Sequence, residues 1–129
     1  MSLKLSLKPH EKVIIGGAVI SAGNKHIELL VENIVPILRQ KDIMLEEKAH
    51  TPARRIYFAL QLMYIDMENR PAHIESFFGL ARDILVAAPS TGPFIKQICD
   101  LVTTSQFYHA LKTANQLIDY EKELTAHVE

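Results

Sequence analysis

Near residue 50 the spacing of apolar side chains changes from two to between three and four, which commits the chain to an α+β fold with its strands first. Upstream, Leu3, Leu5 and Leu7 alternate with Lys4, Ser6 and Lys8, the repeat of a half-buried strand. Val13, Ile14 and Ile15 predict a second strand and Ala18–Ser21 a third. Gly16-Gly17 between them is a two-residue turn, because glycine reaches positive φ without steric cost. Gly23-Asn24 repeats the device before a fourth strand, Ile27–Val31. A fifth short strand falls around residues 35–38, where Pro36 lacks an N–H for the ladder and so belongs at a sheet edge. The expected product is a small, barrel-like antiparallel meander of about 45 residues.

Downstream the pattern is helical. Thr51 suits an N-cap and Pro52 a first helical residue, whose missing N–H would be unpaired there anyway. Ile56, Leu60, Met63 and Met67 follow on one face, with Tyr57 and Tyr64 alongside. A second helix starts near Pro71 and carries Ile74, Phe77, Phe78, Ala81, Ile84 and Leu85. Residues 89–93 break it; a third helix spans about residues 94–103 and a fourth about 106–126. There is no internal repeat or low-complexity tract. The division is therefore an antiparallel β module over residues 1–48 and a four-helix bundle over 49–129, packed as one compact unit.

A chain of 129 residues suits one domain or one domain with a small module. Its 48% hydrophobic and 22% charged residues exclude disordered, collagen-like and coiled-coil classes. A single cysteine makes no internal disulfide. The net charge of −1 excludes a histone-like polycation, yet it conceals a balance of +3 over residues 1–60 and −4 over 61–129. The N-terminus lacks the apolar block of a signal peptide, and no run approaches the ~20 apolar residues of a membrane span. The longest candidate, 56–65, contains Gln61 and stops at Asp66. The expectation is a cytoplasmic protein with no membrane association.

Signatures of catalysis are missing. Of His10, His26, His50, His73, His109 and His127, none shares a helix face with another as a metalloprotease motif requires, and there is no Cys-x-x-Cys pair. His73 with Glu75 is the nearest approach to a metal site. Cys99, in an apolar helix, reads as a small buried side chain before it reads as a reactive thiol. Gly16-Gly17 and Ser90-Thr91-Gly92 lack the spacing and lysine of a phosphate loop, and Glu46-Glu47 is a solvated pair unsuited to acid–base work. No enzymatic activity, metal or cofactor is expected.

The cations carry more information. Lys4 and Lys8 lie on the polar face of the first strand and Lys12 just beyond. They serve either as edge lysines that discourage sheet pairing or as a strip tracking a phosphate backbone. Arg54 and Arg55 sit in a first helical turn, where the dipole disfavours cations by roughly 0.3–1 kcal/mol each. Either Glu46 and Glu47 fold back on them or they face an external anion. No aromatic residue occurs in the first 56 positions, which argues against an RNA-recognition motif or an OB-type stacking platform.

Residues 4–12 (Lys-Leu-Ser-Leu-Lys-Pro-His-Glu-Lys), 17–20 (Gly-Ala-Val-Ile), 38–44 (Leu-Arg-Gln-Lys-Asp-Ile-Met) and 51–58 (Thr-Pro-Ala-Arg-Arg-Ile-Tyr-Phe), with Met63-Tyr64, resemble the FlbT family of alphaproteobacterial flagellar regulators. Residues 108–111 and 117–121 continue the match, whereas 72–105 match only as amphipathic helix; Gly16 stands where an Asn is expected. The resemblance implies a post-transcriptional regulator that binds the 5′ untranslated region of flagellin mRNA and promotes its decay, although some relatives act positively. It also implies work alongside a second small regulator, FlaF.

The run of five short strands also looks, more weakly, like the CsrA family of strand-exchanged dimers that read a GGA-containing RNA loop. Two functions follow. In the first, Lys4, Lys8, Lys12, Lys25, Arg39, Lys41, Arg54 and Arg55 contact phosphates of the flagellin mRNA leader and hairpin backbone groups add specificity. In the second, the acidic helical half is a protein-interaction module docking FlaF, flagellin or the decay machinery, with an indirect or activating effect. A homodimer is the expected oligomer.

Overall fold

The computed structural model describes residues 2–126; Met1 and His127 lie outside the described residues. The chain forms an α+β arrangement of two compact units, one ending at Ile43 and the other beginning at Met44.

The first unit contains β1 (Leu3–Leu7), β2 (Lys12–Ile15), β3 (Ala18–Ser21), β4 (Ile27–Val31) and β5 (Ile37–Arg39), followed by a 3-10 turn at Gln40–Asp42. The β2–β3 hairpin closes as expected, with Ile15 opposite Ala18 and both Gly16 and Gly17 at positive φ (57° and 89°). β5 lies at a sheet edge, immediately after Pro36, whose carbonyl accepts the Gly16 N–H at 2.9 Å. The strand order is not a simple meander. β1 pairs antiparallel with β4, and β2 pairs with β3 and β5, giving one two-stranded and one three-stranded sheet. Gly23-Asn24 therefore carries the chain from one sheet to the other instead of closing a hairpin. Strands of three to five residues expose two faces, and splitting them lets the apolar faces cover each other. Leu5, Leu7 and Val13 are fully buried at the centre, ringed by Ile15, Ile20, Ile27, Leu29, Val31 and Ile37. Each fully buried side chain contributes roughly 1.5–3 kcal/mol.

The second unit contains α1 (Pro52–Ile65), α2 (Arg70–Ala87), α3 (Gly92–Thr103) and α4 (Phe107–Ala126). Thr51 caps α1 through its hydroxyl, which accepts the Arg54 N–H at 3.2 Å. α1 packs against both α2 and α4, so Ile56, Tyr57, Leu60 and Met63 are buried from two sides. It stops at Ile65, earlier than the apolar spacing suggested, and leaves Met67 58% exposed. Asp66 sets that corner by accepting from Asn69 and His73. On α2, Phe77 is fully buried and Phe78 is 38% exposed, because adjacent helical positions point about 100° apart and cannot both face a core. Ser105, at φ 58°, ends α3 in a left-handed cap, and Gln106 N–H returns to the Leu101 carbonyl at 2.8 Å.

Gln61, polar in an otherwise apolar stretch, is buried and clamps one peptide. Its Oε1 accepts the Met44 N–H at 2.7 Å and its Nε2 donates to the Met44 carbonyl at 2.9 Å. Residues 44–48 are thereby tied to α1. Replacing Gln61 by Leu leaves both backbone groups without partners at a part-buried site, a loss of about 1–3 kcal/mol. Urea denaturation should show a lower midpoint at unchanged slope.

Candidate functional site

The β1–β2 turn is built around Glu11. Its Oε1 accepts the Lys8 N–H at 2.9 Å, its own N–H donates to the Lys8 carbonyl at 3.0 Å, and its Oε2 lies 3.6 Å from Arg39 Nη2. The same Arg39 nitrogen donates to the Ser6 carbonyl at 2.8 Å. Arg39 thus spans from β5 to β1 and the turn. The Lys8 N–H holds the Glu11 carboxyl below its usual range; partial desolvation opposes this and the Arg39 charge reinforces it. Two further contacts pin the turn: Lys12 N–H donates to Gln40 Oε1 and His10 N–H to the Gly23 carbonyl, each at 2.6 Å.

These contacts surround an open depression of about 880 Å³. Lys8, Arg39 and Lys41 line it among the residues predicted from sequence, and Ser6, Gln40 and Glu11 form part of its wall. His10 and His26 also line it. Sequence reasoning passed over both histidines because it weighed them only as metal ligands. The signal available was an exposed ring beside Pro9 in a basic turn.

The remaining predicted cations lie elsewhere. Lys4 projects from the solvent face of β1 and pairs with Glu28 across the ladder at 3.3 Å, an exposed contact worth little. Lys12 and Lys25 are exposed outside the depression. Arg54 and Arg55 occupy the first turn of α1 in the helical unit. Among the described residues no ion pair joins a carboxylate to either arginine, although Glu46, on an exposed 3-10 turn, comes to the same small hollow as Arg55. A carboxylate from far along the chain answers the helix dipole instead: Glu121 Oε2 accepts the Ala53 N–H at 2.9 Å.

That small hollow, about 320 Å³, is lined by Arg55 and Glu46 with Phe58, Leu62, His73 and Leu80. His73 pairs there with Asp66, Nε2 to Oδ2 at 2.9 Å, rather than with Glu75. Among the described residues no cluster of three or more His, Cys, Asp or Glu could hold a metal ion. Cys99 is half-buried, and burial followed by the nearby Asp100 pushes its thiol up, away from nucleophilic reactivity. Among the described residues no helix is long and apolar enough to cross a membrane.

The His73 contact, then Asn69, holds the Asp66 carboxyl below the usual aspartate range. A carboxyl depressed in the folded state stabilises the fold above its unfolded value of about 3.9, and that contribution is lost as pH falls through the lower folded value. Asp66→Asn should therefore melt earlier than wild type at neutral pH, with the two curves converging in a thermal-melt series as pH falls through the lowered folded value.

A family model described as flagellar protein FlbT matches residues 3–125. The probable flagellum biosynthesis repressor protein FlbT 1 of Bradyrhizobium diazoefficiens is 43% identical, over 100% of this chain and 88% of its own length. The probable repressor FlbT of Caulobacter sp. is 38% identical over 99% of both chains. The flagellum biosynthesis repressor protein FlbT of Caulobacter vibrioides is 35% identical over 99% of this chain and 92% of its own. No solved structure matches. With a family match along nearly the whole length and relatives of this identity, the chain belongs to the FlbT family of flagellar proteins.

Proposed function

We propose that this chain is a non-enzymatic, cytoplasmic, post-transcriptional repressor of flagellum biogenesis that binds the 5′ untranslated region of flagellin mRNA and promotes its decay. The names of its relatives, flagellum biosynthesis repressors, support the repressor role. The observation that supports RNA as the ligand is the convergence of Lys8, Arg39 and Lys41 on one depression. Arg39 is held by Ser6 and Glu11 and so is oriented before any ligand arrives. Three cations against one carboxylate, itself already engaged, give the positive surface a polyanion requires.

A second reading has the helical unit dock a protein partner such as FlaF, with its effect on flagellin expression indirect. Phe78 and Val86, two turns apart on α2 and 38% and 84% exposed, favour it.

Fluorescence anisotropy with a labelled flagellin leader RNA and a scrambled control, over a salt series, separates the two. Direct binding weakens with salt by a logarithmic slope of about 0.7 per single-strand phosphate contacted. Lys8→Ala with Lys41→Ala should then lower affinity by roughly tenfold and reduce the slope by about one to two. Arg54→Ala with Arg55→Ala should reduce affinity at an unchanged melting temperature; an early melt would make those arginines structural. Salt-insensitive binding, or binding only with FlaF present, would favour the second reading.

A further inference from the structure

Resting on that RNA reading, we propose that the depression between the β1–β2 turn and β5 seats one unpaired nucleotide. Its base stacks on the imidazole rings of His10 and His26, and its flanking phosphates lie on Lys8 and Lys41. Single-stranded recognition needs planar side chains as well as charge, because cations alone do not distinguish an unstacked base from a duplex backbone. Residues 1–43 contain no Phe, Tyr or Trp, and their histidines are His10 and His26, which both line the basic depression.

The backbone at His10 is a separate observation. It lies at φ 66°, a left-handed conformation that costs an L-residue energy and that glycine or asparagine adopts more readily. Its N–H is fixed on the Gly23 carbonyl at 2.6 Å, and the Lys8–Glu11 contacts close the other side of the turn. Histidine enters the left-handed region more often than most residue types, so the turn accommodates it, and the fixed backbone sets where the exposed ring leaves the turn.

Shape points the same way. An A-form duplex shows a shallow, wide minor groove and a deep, narrow major groove, and a concavity enters neither. A splayed nucleotide is convex and fits one, and the volume of about 880 Å³ falls within the range of ligand-sized pockets. Arg39 and Glu11 act here as positioning residues that hold the wall of the depression.

The test uses the full chain and RNA strands of about ten nucleotides, labelled for anisotropy or carrying a central 2-aminopurine, free or annealed to a complement. The single strand should bind at least about tenfold tighter than the duplex, with 2-aminopurine fluorescence quenched by stacking. His10→Asn keeps the left-handed turn and should melt near wild type while losing roughly five- to hundredfold in affinity. His26→Ala, at an exposed position without a backbone demand, provides the same readout if His10→Asn proves unstable, and His26→Trp should restore binding. Equal affinity for single strand and duplex, or wild-type affinity in both His10→Asn and His26→Ala, overturns this proposal while leaving salt-sensitive RNA binding intact. Absence of any RNA binding by the wild-type chain removes the RNA reading and this proposal together.

Discussion

The Glu11 carboxylate is the contact on which the candidate site depends. It is the one acidic group on a basic rim, and both of its oxygens are engaged, one by the Lys8 N–H and the other by Arg39. Without it, the positive charges of Lys8, Arg39 and Lys41 would have no negative partner around the depression, and the β1–β2 turn would lose its closing hydrogen bond. With it, a flexible cationic side chain becomes a brace between β5 and the Ser6 carbonyl of β1. The site is thus positively charged and preorganised at once, a combination that lysines alone do not produce.

Such bracing matters because the strand unit is small. Leu5, Leu7 and Val13 ringed by half-buried side chains, with Ile14 and Leu38 also buried, make a thin core, and a chain segment of this length ordinarily needs additional ties. The ties here are polar and long in sequence: Lys12 to Gln40, His10 to Gly23, Arg39 to Ser6. They concentrate at one end of the unit, where the depression lies, so the polar contacts that secure the fold also shape the site.

How much of this was legible in the sequence depended on the range of the contact responsible. The four helices were legible because periodicity, Thr51-Pro52 and the proline break at 89–93 act within a few residues. So were the edge position of β5 and the Gly16-Gly17 hairpin. The pairing of β1 with β4 was not, since each strand's alternation fixes which side faces inward but not which neighbour it meets. Met67 and Phe78 were misplaced because apolar identity at a helical interval ignores where a helix stops and how wide its buried face is. At the site, Lys8, Arg39 and Lys41 were legible as cations, yet nothing local grouped them, and a residue such as His10 acquires meaning only with its backbone angle known.

Arg54 and Arg55 show the same limit from the other side. They stood out because a first helical turn penalises cations, an inference that weighed only nearby carboxylates as offsets. Glu121, most of the helical unit away in sequence, delivers its carboxylate to the Ala53 N–H and supplies the negative charge that the α1 N-terminus favours. The position of the arginines then needs no external anion to account for it. Lys4 is likewise answered internally, by Glu28. Lys8, Arg39 and Lys41 differ from these in being gathered around one shared depression. Charge attracts any nucleic acid, however, and discriminates poorly among sequences. Selectivity for one leader over another must therefore arise from whatever flat or hydrogen-bonding groups the cations surround, and at this depression those are imidazole, amide and carboxylate side chains.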